Sequence, residues 1–221
     1  MRKIILKTIL MCIMSTTLNA QSFVTDSVSF STNNVPITVS YYGNFLIDPG
    51  FKIGVERPFK IIQKTLLKKN GKKRINQHVF LNTVNLGYYY TAEHNHSFFL
   101  NTELGYRKVR KSGFKTETFL GLGYMRTFLT DETYKVEGDN VSIDKAAGSN
   151  YFMPSLSFGI GYDNSVKQEP FPFAISLRPN VFIRYPYNGA VLPQLTIELN
   201  FSYRFNAFSS KTKQIYKSKT R

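Results

Sequence analysis

The chain has 221 residues and carries 29 Lys and Arg against 14 Asp and Glu, a net charge of +15. That length suits one domain plus a short leader. The one cysteine, Cys12, lies in the N-terminal apolar stretch, so the part that follows has no thiol, and disulfides, thiolate catalysis and cysteine metal sites are excluded there.

Arg2, Lys3 and Lys7 precede the apolar stretch Thr8 to Met14, and Leu18-Asn19-Ala20 offers a cleavage site before Gln21. Residues 1–20 therefore read as a signal peptide. The stretch is short of the ~20 apolar residues of a membrane-crossing helix. Leu10 and Met11 stand where a lipoprotein would need small residues before Cys12. The signal peptide holds three positive charges and no acid, so +15 becomes +12 for the mature chain. The excess is concentrated in residues 68–74, in residues 107–115 and in the tail, residues 206–221. Basic clusters suit nucleic acid in a cytosolic protein. In a secreted one they suit anionic lipid headgroups and lipopolysaccharide phosphates.

Residues 21–36 are polar, alternate weakly, and read as a leader. Eight strand candidates follow. The first is Ile37 to Ile47, with Ile37, Val39, Tyr41 and Phe45 on one face. The second runs from Phe51 to about Leu67, and Asn70-Gly71 supplies a hairpin turn signal before the third, about Asn76 to Thr91. The fourth, Ser97 to Arg110, sets Phe98, Leu100, Leu104 and Tyr106 against Asn101, Glu103, Gly105 and Arg107. The fifth is Phe114 to Leu129, the sixth Tyr151 to Asn164, and the seventh Pro172 to Tyr185, where Pro179 removes a ladder donor and calls for a bulge. The eighth, Gln194 to Phe205, alternates without a fault. Leu195, Ile197, Leu199, Phe201, Tyr203 and Phe205 oppose Thr196, Glu198, Asn200, Ser202 and Arg204.

Successive side chains of a strand point to opposite faces. Repeated greasy and wet faces in a secreted chain predict an all-β fold over residues 37–205. The expected form is a closed antiparallel up-and-down transmembrane β-barrel of about eight strands, lipid outside and polar residues within. An apolar-Gly-Tyr repeat supports it: Leu86-Gly87-Tyr88, Leu104-Gly105-Tyr106, Leu122-Gly123-Tyr124 and Ile160-Gly161-Tyr162. The tyrosines have outward parity near the end of the apolar face, as an aromatic girdle requires. The glycines have inward parity, which relieves crowding in a narrow lumen. With both termini periplasmic, segments near Asp48, Glu93, Asp131 to Ser149 and Asn188 face outward. The longest of them, acidic and solvated, is the expected place for a surface partner.

The inward charges are the first candidate site. Glu56, Glu103, Glu117 and Glu198 share the lumen with Arg107, Arg178, Arg184 and Arg204. Buried charges must pair and hydrogen-bond. They form either a selective pore or a structural network filling the lumen, and the narrowness of an eight-stranded barrel favours the network. His94 and His96 sit in a short turn with no third ligand nearby in sequence, so no metal or cofactor is expected.

With its signal peptide, its Gly-Tyr strands and its last strand ending at Phe205, the chain resembles the small outer-membrane β-barrel proteins of Gram-negative bacteria. It looks most like those of Bacteroidota, and the resemblance covers about residues 37–205. The resemblance implies residence in the cell outer membrane, contact with outer-membrane lipid and lipopolysaccharide, and insertion by the barrel-insertion machinery. That machinery reads a final strand ending in an aromatic, a role that falls here on Phe201, Tyr203 and Phe205. The basic extension after Phe205 departs from barrels that end at the aromatic itself. Some barrels of this kind are lipid-A-modifying hydrolases with a His-x-Ser pair and a later glutamate. In this chain Ser97 follows His96 directly and Glu103 comes too soon. The expected task is structural or surface-interacting rather than enzymatic; the alternatives are a lipid-A-modifying hydrolase and a small-solute pore.

Overall fold

The computed structural model describes residues 23–29, 35–43, 48–67, 73–91, 94–137, 140–144, 146–164, 173–204 and 214–217. Eight strand positions close into a ring: β2 (Pro36–Gly43), β3 (Gly50–Leu67), β4 (Lys73–Thr91), β5 (Asn95–Arg110), β6 (Phe114–Leu129), β10 (Ser155–Asp163), β11 (Phe173–Tyr187) and β12 (Ala190–Arg204). Each pairs antiparallel with the next, and β12 closes the ring on β2. The paired residues can be followed once round, from Phe51 through Tyr41, Leu199, Leu177, Ile160, Thr116, Lys108 and His78. The path returns to β3 at Ile62, not at Phe51. The strands are therefore staggered and tilted, as closure of a barrel demands.

The sequence boundaries hold closely for most strands, with four differences. The sixth strand is split at Met153-Pro154 into β9 (Asn150–Phe152) and β10, because proline has no N–H to give the ladder. Met153 N donating to Gly123 O at 2.7 Å and Ile183 N donating to Pro154 O at 3.0 Å carry the pairing across the break. The bulge expected at Pro179 is absent. The β10–β11 register is the same on both sides of it, with only the bridges between Ser157↔Asn180 and Ile160↔Leu177 missing. Register shifts occur instead at Pro58/Lys60 and at Arg184/Tyr187. The outer segment expected to be a loop carries its own hairpin, β7 (Tyr134–Glu137) with β8 (Asn140–Ile143).

The fourth difference is at the termini. The leader contributes β1 (Phe23–Ser29) and the tail contributes β13 (Gln214–Lys217). β1 pairs with the Leu67 end of β3, and β13 pairs with β1, so both extend the sheet outside the ring. Phe45, the Asn70-Gly71 turn and Phe205 lie outside the described residues. A two-residue turn at Asn188 (φ 47) and Gly189 (φ 76) joins β11 to β12. Positive φ at both centres and an Asn-Gly pair are what a tight hairpin turn takes.

Burial alternates along every ring strand. On β5 the inward residues Ser97, Phe99, Asn101, Glu103, Arg107 and Val109 are buried, while Phe98, Leu100 and Leu104 are exposed. The exposed face is bounded by two aromatic belts. Toward the Asn188 end lie the cross-strand neighbours Phe51, Tyr88 and Phe98, and also Tyr124, Phe152 and Tyr185. Toward the opposite end lie Phe80 with Tyr106, Phe114 with Tyr162, and Phe173 with Tyr203. The Gly-Tyr tyrosines divide between the belts because each stands late in its strand and neighbouring strands run in opposite directions.

Candidate functional site: the barrel lumen

An eight-stranded ring is just wide enough inside for side chains to fill, and alternation delivers every second side chain there. What they build is one continuous ion-pair chain. Lys52 on β3 donates to Glu198 Oε2 on β12 at 2.8 Å and stands 3.6 Å from Glu103 on β5. Glu198 also accepts from Ser40 Oγ at 2.9 Å and lies 3.5 Å from Arg178 Nη1 on β11. Arg178 Nε donates to Glu117 Oε1 on β6 at 2.7 Å, and the other oxygen of Glu117 accepts from Arg107 Nε on β5 at 2.8 Å. Arg107 then grips Glu56 on β3 with two bonds of 2.8 and 2.7 Å. Lys115 approaches Glu117 at 3.5 Å.

Four carboxylates (Glu56, Glu103, Glu117, Glu198) thus meet four cations (Lys52, Arg107, Lys115, Arg178), and all eight are buried. The balance is the physical condition for keeping them there. An unpaired charge inside a low-dielectric space costs several kcal/mol, roughly what its partner returns through Coulomb attraction and charge-assisted hydrogen bonds. Neutral groups complete the carboxylates' shells: Thr83 Oγ1 and Asn101 Nδ2 each donate to Glu103 at 3.0 Å.

Toward the Asn188 end this polar layer is covered by an apolar one. Tyr42, Tyr89, Phe99, Met125, Tyr151, Met153 and Phe182 form one buried cluster, with Tyr187 packed against it. Toward the other end Leu81, Val79 and Phe119 form a second, and the Arg178 guanidinium lies over the Phe119 ring at 4.5 Å. The inward glycines make room for these rings. A Cβ at Gly87 would overlap the ring of Phe99, and one at Gly105 would overlap that of Phe119. At Gly159 it would come within 2.8 Å of both Arg178 and Glu117.

Six of the eight charges named from sequence lie in the ion-pair chain. The other two do not. Arg184 sits in the aromatic layer, donating to the Tyr89 hydroxyl and facing the Tyr89 and Tyr151 rings at 5.5 and 5.8 Å. Arg204, at the rim opposite the Asn188 turn, pairs with buried Asp163. Lys52 and Lys115 were missed. They have the parity of Glu56 and Glu117 on their own strands, so the alternation that marked the glutamates marks them too. Phe99, Phe119 and Phe182 were missed as well, although they share the inward parity of Glu103, Glu117 and Arg178 on their own strands.

His96 and Ser97 face opposite sides of β5. His96 meets the Tyr88 hydroxyl through Nδ1 at 2.8 Å on the exterior, whereas Ser97 is buried and donates to Asn95 Oδ1 at 3.0 Å. They cannot act on one substrate atom. Among the described residues no cluster of three His, Cys, Asp or Glu side chains could hold a metal. On the last strand Phe201 and Tyr203 are outward and exposed.

A closed antiparallel barrel with an apolar exterior between two aromatic belts is the strand-built way through a bilayer, since closure leaves no open sheet edge in the ring. The described strands thus have the architecture of an eight-stranded transmembrane β-barrel. No family model and no curated protein matches the sequence. Solved structures similar to the chain include the N-terminal β-barrel domain of Pseudomonas aeruginosa OprF, at 12% identity over 79% of this chain and 99% of that one, TM-score 0.44. Ail, the attachment invasion locus protein of Yersinia pestis, is similar at 10% identity over 83% and 100%, TM-score 0.38. Neisserial surface protein A is similar at 11% identity over 81% and 97%, TM-score 0.35.

Proposed function

We propose that this barrel is a structural, surface-interacting component of the outer membrane whose lumen is a solid plug, neither a solute channel nor a lipid hydrolase. The observation that supports the reading most is the unbroken ion-pair chain from Glu103 to Glu56, capped by the Tyr42–Phe182 aromatic layer. A solute would have to part charge-assisted bonds on both sides of Arg178. The eight paired charges serve to fill and hold the barrel rather than to select ions. The same reading makes Phe201, Tyr203 and Phe205 the assembly signal for the insertion machinery. It also gives the outer segment from Asp131 to Ser149 the contact with a surface partner, and keeps the kinship with Bacteroidota barrels that the sequence suggests.

Planar-bilayer recording of the refolded protein tests the plug. The expected result is little or no conductance. Large, steady channels from the unmodified chain refute the plug in favour of the pore, and release of fatty acid from lipid A by the pure protein refutes it in favour of the hydrolase.

A further inference from the structure

The strands do not all stop at one level at the end opposite the Asn188 turn. Pairing of β2 with β3 ends at Ile37↔Val55 and pairing of β4 with β5 at Asn76↔Arg110, but β3 and β4 stay paired as far as Leu67↔Lys73. Their inward faces therefore continue as a wall beyond the closed ring. A pocket of about 220 Å³ lies against this wall, lined by Gln63, Ile75, Gln77, Val109 and Lys111. The five stand on two successive rungs. Gln63 is paired with Gln77, and Gln77 with Val109; one rung further out, the Lys111 N–H donates to the Ile75 carbonyl at 3.2 Å. One rung inward, Ile61 and Val79 belong with the Leu81 and Phe119 cluster, so the pocket abuts the apolar layer that closes this end of the lumen. Val109 is buried and Lys111 is exposed at the rim. Among the described residues the carboxamides of Gln63 and Gln77 and the ammonium of Lys111 have no hydrogen-bond or ion-pair partner, and no acid lines the pocket.

We infer that this pocket takes the C-terminal residue of a peptide, with its carboxylate at Lys111 and its last peptide group between Gln63 and Gln77. The site is separate from the ion-pair chain and stands whether or not the lumen conducts. Four features choose the occupant. A carboxamide both donates and accepts, as a peptide group does, and two of them side by side offer a peptide group partners for its N–H and its C=O. An ammonium with no acid beside it calls for an anion, and a carboxylate supplies one. Ile75 and Val109 give an apolar side chain a surface to cover. The volume lies below the ~300–1,000 Å³ of sites for drug-sized ligands, so an end group fits and a long chain does not. The pocket opens on the lumen side of the wall, away from the lipid-facing surface. Barrels of this type keep their short turns in the periplasm and their longer loops outside, so the expected source is a periplasmic peptide.

The test uses the isotopically labelled mature chain refolded in detergent micelles. The side-chain amide signals of Gln63 and Gln77 are identified by their loss in Gln63→Ala and Gln77→Ala, and folding of every variant is checked by gel mobility without boiling. Three probes are titrated in: N-acetyl-alanyl-leucine, the same dipeptide with its C-terminus amidated, and hexanoate, which keeps a carboxylate and an apolar chain but has no peptide group. N-acetyl-alanyl-leucine is expected to shift both glutamine signals saturably. Amidation should raise the half-saturating concentration, and Lys111→Gln should raise it about threefold, as loss of one exposed charge pair does. Lys111 is exposed at a turn, so its replacement leaves the barrel folded. Equal binding of the amidated dipeptide overturns the carboxylate's place at Lys111. Equal binding of hexanoate makes the pocket a fatty-acid site and overturns the peptide. Glutamine signals that do not move with any probe overturn the site altogether.

Discussion

Arg107 holds Glu56 with two parallel N–H···O bonds, 2.8 and 2.7 Å, although the residues stand on different strands and 51 positions apart. The same guanidinium uses its Nε on Glu117, so one arginine ties β5 to both β3 and β6. Lysine could not do this, because its point charge lacks the planar fork. Arg107→Lys should therefore destabilise the barrel although the charge is kept.

The two hub carboxylates should differ in importance. Removing Glu117 leaves Arg107, Arg178 and Lys115 around an empty place, and uncompensated buried charge costs about 3–5 kcal/mol. Removing Glu198 is milder, because Lys52 keeps Glu103 nearby and Arg178 keeps Glu117. Urea unfolding in lipid vesicles should show Glu117→Ala losing more stability than Glu198→Ala. Equal losses would contradict this ranking, and no loss in either variant would mean that the network does not hold the lumen.

The two faces of the last strand offer a second comparison. Leu199 points to the bilayer, and an arginine there should cost about 2–4 kcal/mol. Its neighbour Asn200 is buried in the lumen and donates to Ser40 Oγ at 2.7 Å. Asn200→Ser forfeits about one hydrogen bond, roughly 1 kcal/mol. An Asn200→Ser variant that unfolds as readily as Leu199→Arg would contradict the assigned faces.

Glycine 105 provides a test of packing. Its inward side is filled by the Phe119 ring, so Gly105→Ala overpacks the lumen by about 1–3 kcal/mol. Phe119→Leu frees that space. The double variant should therefore be more stable than the sum of the two single losses predicts, a coupling that a double-mutant cycle measures. Simple additivity would place the ring elsewhere.

Cell fractionation checks the location. The mature chain should sediment with the outer membrane and require detergent for release. Recovery as a soluble periplasmic protein would exclude the barrel's membrane contact.

Strand parity is a one-dimensional property, and it was legible. Leu195 to Tyr203 against Thr196 to Arg204 assigned the faces of β12, and the same alternation marked the inward glutamates and Gly-Tyr pairs. Sequence also placed β6 at its observed ends, Phe114 and Leu129. It could not say which inward charge meets which. Arg178 and Arg184 have the same parity and lie on one strand. Yet Arg178 reaches Glu117 while Arg184 ends among tyrosines, because their heights in the lumen differ. Which residues of the other strands share each height is set by the stagger that brings Phe51 back to Ile62, a property of the closed ring and not of any one strand. The bond between Ser40 and Glu198, 158 positions apart, exists only once the ring closes. The rings of Phe99 and Phe119 find their places where the register of adjacent strands sets Gly87 and Gly105 opposite them. Alternation along the chain determined what faces outward and what faces the lumen; closure with stagger decided which inward groups meet across the lumen.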